Sequence, residues 1–146
     1  MTNKPFVVLV VEDEPADVYL TRMALNACSV SLSIYDVGDG VEALAFVQRQ
    51  GCYSDMPTPD LILLDLNMPR MGGKAFLDHF RKLYTLRQIP VVILTTSEAE
   101  ADIVESYDLG ASGFVVKPMD IGEFAQSIQS LLDYWSESGA GQIPAP

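Results

Sequence analysis

Short apolar runs without polar alternation decide what this chain can fold into. Phe6-Val7-Val8-Leu9-Val10-Val11 is mostly β-branched and stops at Glu12-Asp13-Glu14. Leu61-Ile62-Leu63-Leu64 stops at Asp65, Val91-Val92-Ile93-Leu94 at Thr95-Thr96-Ser97, and Phe114-Val115-Val116 at Lys117-Pro118. Apolar runs of about four to eight residues, bounded by polar residues, Pro or Gly, suit strands covered on both faces better than they suit helices. Such strands belong to parallel sheets with helices on either side.

Between the runs the apolar spacing changes to a helical one. After Pro15, which suits a first helical turn, Ala16, Tyr19/Leu20, Met23/Ala24 and Ala27 predict a helix to about Ala27. From Val30 to Val37, Val30, Leu32 and Ile34 alternate with Ser31 and Ser33, as in a half-exposed edge strand. Asp39-Gly40 turns the chain into a short amphipathic helix carried by Val41, Leu44/Ala45 and Val47/Gln48, and a Pro-rich loop spans Gly51 to Pro59. Phe76, Leu77, Phe80 and Leu83/Tyr84 mark the core face of a third helix. Ser97 with Glu100 makes a capping box for a fourth, which Ile103/Val104 and Tyr107 carry to near Gly110. Asp120 and Glu123 open the last helix, with Phe124, Ile128, Leu131/Leu132 and Trp135 on one side. The tail from Ser136 to Pro146 has no strand or helix pattern, so residues 1–135 are expected to form the domain and 136–146 a loosely held tail.

Five strands alternating with five helices make a doubly wound α/β domain, and right-handed crossovers leave few topologies. The simplest is a five-stranded parallel sheet in the order 2-1-3-4-5. It puts the alternating second strand at an edge and the switch point between strands 1 and 3.

A length of 146 residues allows one domain with a substantial core. The net charge of −11 argues against a nucleic-acid-binding face and fits a bound cation or a basic partner. Cys28 and Cys52 make neither a disulfide framework nor a metal-ligand cluster, which suggests reduced thiols. The apolar run at 6–11 is far shorter than the ~18 residues of a membrane span, so a cytoplasmic protein is expected.

In this topology four strand ends converge, bearing Glu12-Asp13, Asp65, Thr95 and Lys117. Each alone has an ordinary explanation: a solvated strand-end Asp, a helix-capping Thr, a surface Lys with its stem laid on apolar surface. Together they are the residue types of a phosphoryl-transfer site. Three clustered carboxylates repel one another unless a cation neutralises them, and Mg2+ suits a site of one or two carboxylates plus a phosphate. Asp65 would then be a nucleophile forming an acyl phosphate, with Lys117 offsetting charge on the transferring group and Thr95 donating to a phosphoryl oxygen.

With Val-Glu-Asp at 11–13, Asp-Gly at 39–40, Asp-Leu-Asn-Met-Pro at 65–69, Val-Val-Ile-Leu-Thr at 91–95 and Gly-Ala-Ser-Gly-Phe-Val-Val-Lys-Pro at 110–118, the chain resembles the receiver domain of two-component response regulators over nearly all of residues 5–135. The resemblance implies a flavodoxin-like (CheY-like) fold and a signalling module that catalyses only its own phosphoryl transfer and hydrolysis. It also implies that Asp65 is the phospho-acceptor, that Asp13 ligates Mg2+ directly and Glu12 through water, and that Asn67 adds its backbone carbonyl. Thr95 and Phe114 would be the switch pair, Lys117 would bind the phosphate, and Lys117-Pro118 would be cis. Three positions depart from the family pattern: Glu12 stands where many members have Asp, Gly72 where an Asp is common, and Phe114 where Tyr is frequent.

No residues remain for an output domain, so a single-domain regulator is expected. Tyr134-Trp135 and Ile143-Pro144 are similar to regulators paired with phytochrome-type histidine kinases. That similarity implies a sensor histidine kinase as partner and a homodimer through helix 4, strand 5 and helix 5, although Trp135 equally suits a residue closing the core. The lone His79 reads as a surface residue and excludes histidine-based metal clusters and triads. A dehalogenase-like phosphatase would need an acid at position 67, which is Asn, and a flavin site would need a phosphate loop where Glu12-Asp13-Glu14 stands.

Overall fold

The computed structural model describes residues 5–28, 30–65, 72–83, 85–86, 88–95, 110–116 and 121–138. In chain order these form β1 (Phe6–Val11), α1 (Pro15–Asn26), β2 (Leu32–Val37), α2 (Gly40–Val47), a single 3-10 turn (Gly51–Tyr53), β3 (Leu61–Asp65), α3 (Gly73–Arg81), β4 (Val91–Thr95), β5 (Gly113–Val116) and α4 (Ile121–Ser138). The strands make one sheet in the order β2-β1-β3-β4-β5, with every pair parallel. The doubly wound fold read from the apolar runs is therefore present, with the half-polar strand at an edge. The fourth predicted helix, over 97–110, lies outside the described residues up to Gly110.

Alternation along the strands divides the core into two layers. Leu9, Val11, Ile62, Leu64 and Ile93 face α2 and α3, where they meet Phe46, Phe76, Leu77 and Phe80. Val8, Val10, Leu61, Leu63, Val92 and Leu94 face the other side and meet Ala24 and Leu25 of α1 with Phe124, Ile128 and Leu132 of α4. Burying a side chain of this size contributes about 1.5–3 kcal/mol, so the strands are held mainly by what covers them. Phe76 and Phe80, one turn apart, stack with ring centroids 5.4 Å apart. Asp60 fixes the register of β1 against β3: its carboxylate accepts from the Val7 N–H at 2.8 Å and its own N–H donates to the Val7 carbonyl at 2.7 Å.

Two helices turn a different face inward from the one their spacing suggests. In α1 the buried residues are Thr21, Ala24 and Leu25, whereas Tyr19, Leu20 and Met23 are exposed. Thr21 and Ala24 are small and let the helix lie close to its neighbours, so close packing overrides the count of large apolar residues. In α2 the buried set is Gly40, Ala43, Phe46 and Val47, and Val41 is exposed. Phe46 decides this rotation, because its ring sits between Tyr35 and Tyr53, with centroids 5.5 and 5.4 Å away.

The other differences are at element ends. β2 starts at Leu32 rather than Val30, and its residues 32–35 are all half-buried rather than alternating in burial. α4 runs through Ser138, three residues beyond the expected end of helical pattern at Trp135. Residues 139–146 lie outside the described residues. Trp135 is half-buried against the α1/α4 core layer, and the exposed Tyr134 meets it edge to face at 4.9 Å. Among the described residues, no helix is long and apolar enough to cross a membrane.

Candidate functional site

The register of the two central strands assembles the site. Val11 is paired with Leu64, so the residues that follow, Glu12 and Asp65, leave the sheet side by side at its carboxyl edge. Carboxylate oxygens of Glu12, Asp13 and Asp65 all lie within 4.8 Å of one another. Glu12 and Asp65 are buried, at 3% and 8% exposure, and Asp13 is exposed. The Glu12 N–H donates to the Val37 carbonyl at 3.0 Å, which ties this edge of β1 to the end of β2. The chain then turns at once into α1: the Glu12 carboxylate accepts from the Glu14 N–H at 3.3 Å, Glu14 caps the helix by accepting from Ala16 N–H at 3.3 Å, and Pro15 takes the first helical position. The positive end of α1 thus lies against the acidic cluster.

Three carboxylates so close, two of them out of water, need positive charge among them. All their donor atoms are oxygens, and the exposed Asp13 leaves an open side. The set fits a hard divalent cation that keeps some of its waters.

The remaining expected site residues fall as follows. Thr95 ends β4, one residue beyond Leu94, which is paired with Asp65, so its backbone reaches the same edge. The Thr95 side chain, Asn67, Lys117 and the Lys117-Pro118 bond lie outside the described residues. Phe114, on β5 opposite Ile93, is 40% exposed. Asp39 caps α2 by accepting from Glu42 N–H at 2.9 Å, as the Asp-Gly turn suggests. Gly72 caps α3 with no side-chain hydrogen bond, the weaker start expected from glycine at that position. His79 is exposed, and Cys28 and Cys52 are free thiols.

One part of the site was not anticipated. A cavity of about 430 Å3 opens beside the carboxylates, lined by Glu12, Asp13, Pro15, Val18, Tyr19, Arg22, Asp36 and Gly38. Arg22 and Asp36 face each other there, with Nε and Nη2 of the arginine 3.0 and 2.6 Å from Asp36 Oδ2, and Nη2 also donates to the Ile34 carbonyl at 3.2 Å. Their pairing depends on the rotation of α1, which the apolar spacing misassigned. No signal in the sequence alone joins position 22 to position 36.

The model of the response regulator receiver domain family matches residues 8–129. The chain is 36% identical to the response regulator Rcp1 of Synechocystis sp. over 94% of its own length and 93% of that protein's. The Mn(2+)-bound form of Rcp1 superposes with a TM-score of 0.83, covering 97% of this chain and 100% of that one. The phosphorylated cyanobacterial phytochrome response regulator RcpA, also 36% identical, superposes at 0.86 over 92% of this chain and 96% of its own. A response regulator in red light signaling of R. palustris, 31% identical, superposes at 0.87 over 97% of this chain and 99% of its own. With the fold, the acidic edge and these likenesses in agreement, the chain belongs to the response regulator receiver domain family.

Proposed function

We propose that this receiver domain accepts a phosphoryl group on Asp65 from a sensor histidine kinase of the phytochrome type and thereby changes its contacts with a partner. The observation that carries the reading is the meeting of Glu12, Asp13 and Asp65 within 4.8 Å at the carboxyl edge of the sheet. The kinase class is supported by the likeness, over most of the chain, to the phytochrome response regulator RcpA and the bacteriophytochrome response regulator RtBRR.

An Asp65 oxygen attacks the phosphorus of a phosphohistidine, the P–N bond breaks with its electron pair going to the imidazole, and Asp65 becomes an acyl phosphate. Glu12 and Asp13, with Asp65 and the Asn67 carbonyl, are the residues that would hold Mg2+. Bound there, the ion supplies positive charge to the phosphoryl oxygens. Lys117 balances the remaining charge, and the Thr95 hydroxyl donates to a phosphoryl oxygen once it is in place. Phe114 then reports the change at the surface. The output surface is a homodimer contact through residues 97–110, β5 and α4, in the cytoplasm. The exposed Phe114 and Tyr134 support that assignment.

Incubation with acetyl phosphate and Mg2+, followed by intact mass measurement, tests the reading. One added phosphoryl group in the parent, dependent on Mg2+ and absent in Asp65→Asn, is the expected result. An adduct that persists in a folded Asp65→Asn protein overturns it.

A further inference from the structure

Among the described residues, Arg22 is the one basic side chain lining the cavity that Glu12 and Asp13 also line. Pro15, Val18/Tyr19 and Arg22 follow one another along the same wall of α1, and helical side chains lean toward the N-terminus, which for α1 is the acidic cluster. A guanidinium on that wall has a natural destination in a group of three carboxylates. It is held elsewhere. Asp36 Oδ2 takes both Nε and Nη2, and the Ile34 carbonyl takes Nη2 as well, so the charged head is tied to β2. Both side chains of the pair are 37% exposed, which leaves them room to turn if the tie is cut.

We infer that Asp36 is a positioning residue for the cation site: it holds Arg22 away from Glu12 and Asp13 and so keeps these carboxylates available to the metal. The inference rests on the cation-binding reading above. Without the Asp36 charge, Arg22 becomes an internal counter-ion that competes with Mg2+. The competition is modest in size, because an ion pair of this exposure is itself weak.

Three physical pictures separate in a double-mutant cycle of Mg2+ affinity, measured by isothermal titration calorimetry at fixed ionic strength on the full chain. If Asp36 restrains Arg22, Asp36→Asn weakens binding by roughly fivefold. Arg22→Gln alone leaves it within about twofold of the parent, since the guanidinium is already neutralised, and Arg22→Gln added to Asp36→Asn restores it. If the two residues act only through net charge, the single changes move affinity in opposite directions by similar factors and the cycle is additive. If the pair acts only as a strap joining α1 to β2, both single variants and the double variant are weakened alike, because each has lost the strap.

Restoration by the second substitution, with Arg22→Gln alone within about twofold of the parent, is the expected result. Either the additive or the uniformly weakened pattern overturns the inference, as does an Asp36→Asn protein indistinguishable from the parent. A parent that binds no Mg2+ overturns the cation reading and this inference together, whereas a parent that binds Mg2+ without the restoring pattern overturns only the latter.

Discussion

At the scale of single residues, Tyr53 shows how a surface turn is fixed by one hydrogen bond. Its hydroxyl donates to Glu42 Oε1 at 2.5 Å, joining the 3-10 turn to α2. The bond to Glu42 is the main reason its pKa is pushed up from 10.0 to about 12, with burial and the charges of Glu42, Cys52 and Asp39 adding to it. The folded value lies above the unfolded one, so the bond's contribution is complete below pH 10 and is lost as pH rises toward 12. A phenolate absorbance titration is expected to show one group ionising near 12 that is missing in Tyr53→Phe. At neutral pH the variant should be less stable by about 1 kcal/mol in urea unfolding, the ordinary worth of such a bond. Asp65 was legible in the sequence because a carboxylate directly after four apolar residues has few places to go. The Arg22–Asp36 pair was not, because its partners meet only after a helix and a strand are placed side by side.

Among the elements, β5 is entered through a glycine in the left-handed region. Gly110 has φ +98, a conformation that side chains rarely adopt, and a Cβ there would lie 2.6 Å from Arg81 Nε and 2.8 Å from its Cδ. The Arg81 guanidinium carbon in turn lies 5.4 Å from the centre of the Phe80 ring, so the end of α3 and the entry to β5 are packed together. Gly110→Ala is expected to destabilise the protein by about 1–3 kcal/mol through backbone strain, read as a lower urea midpoint at unchanged m-value. The elements themselves were legible where burial is complete. α3 and α4 turn inward the apolar residues their spacing marks, because Phe76, Phe80, Phe124 and Ile128 have no competing stripe. α1 and α2 each carry apolar residues on more than one face, and there the neighbours choose.

For the whole molecule, the charge of −11 is a general stress on the fold. Self-repulsion among exposed carboxylates is screened by salt, so raising NaCl from low to moderate concentration is expected to raise the melting temperature, and millimolar Mg2+ to raise it further in the parent. A melting temperature that falls over the same range would contradict this. The sheet order was legible because only one strand, residues 30–37, had a pattern suited to an edge next to β1. Its partner at the far edge, β5, has just four residues and pairs only with β4 among the described strands.

That difference gives the sheet a stiff centre and a compliant margin. Glu12 and Asp65 are anchored where β1 and β3 each have neighbours on both sides, and Phe114 sits on the strand with a neighbour on one side. Under the proposed phosphorylation of Asp65, the new charge would arrive where strands support one another on both sides, while the exposed Phe114 ring stands on the strand held from one side among the described strands.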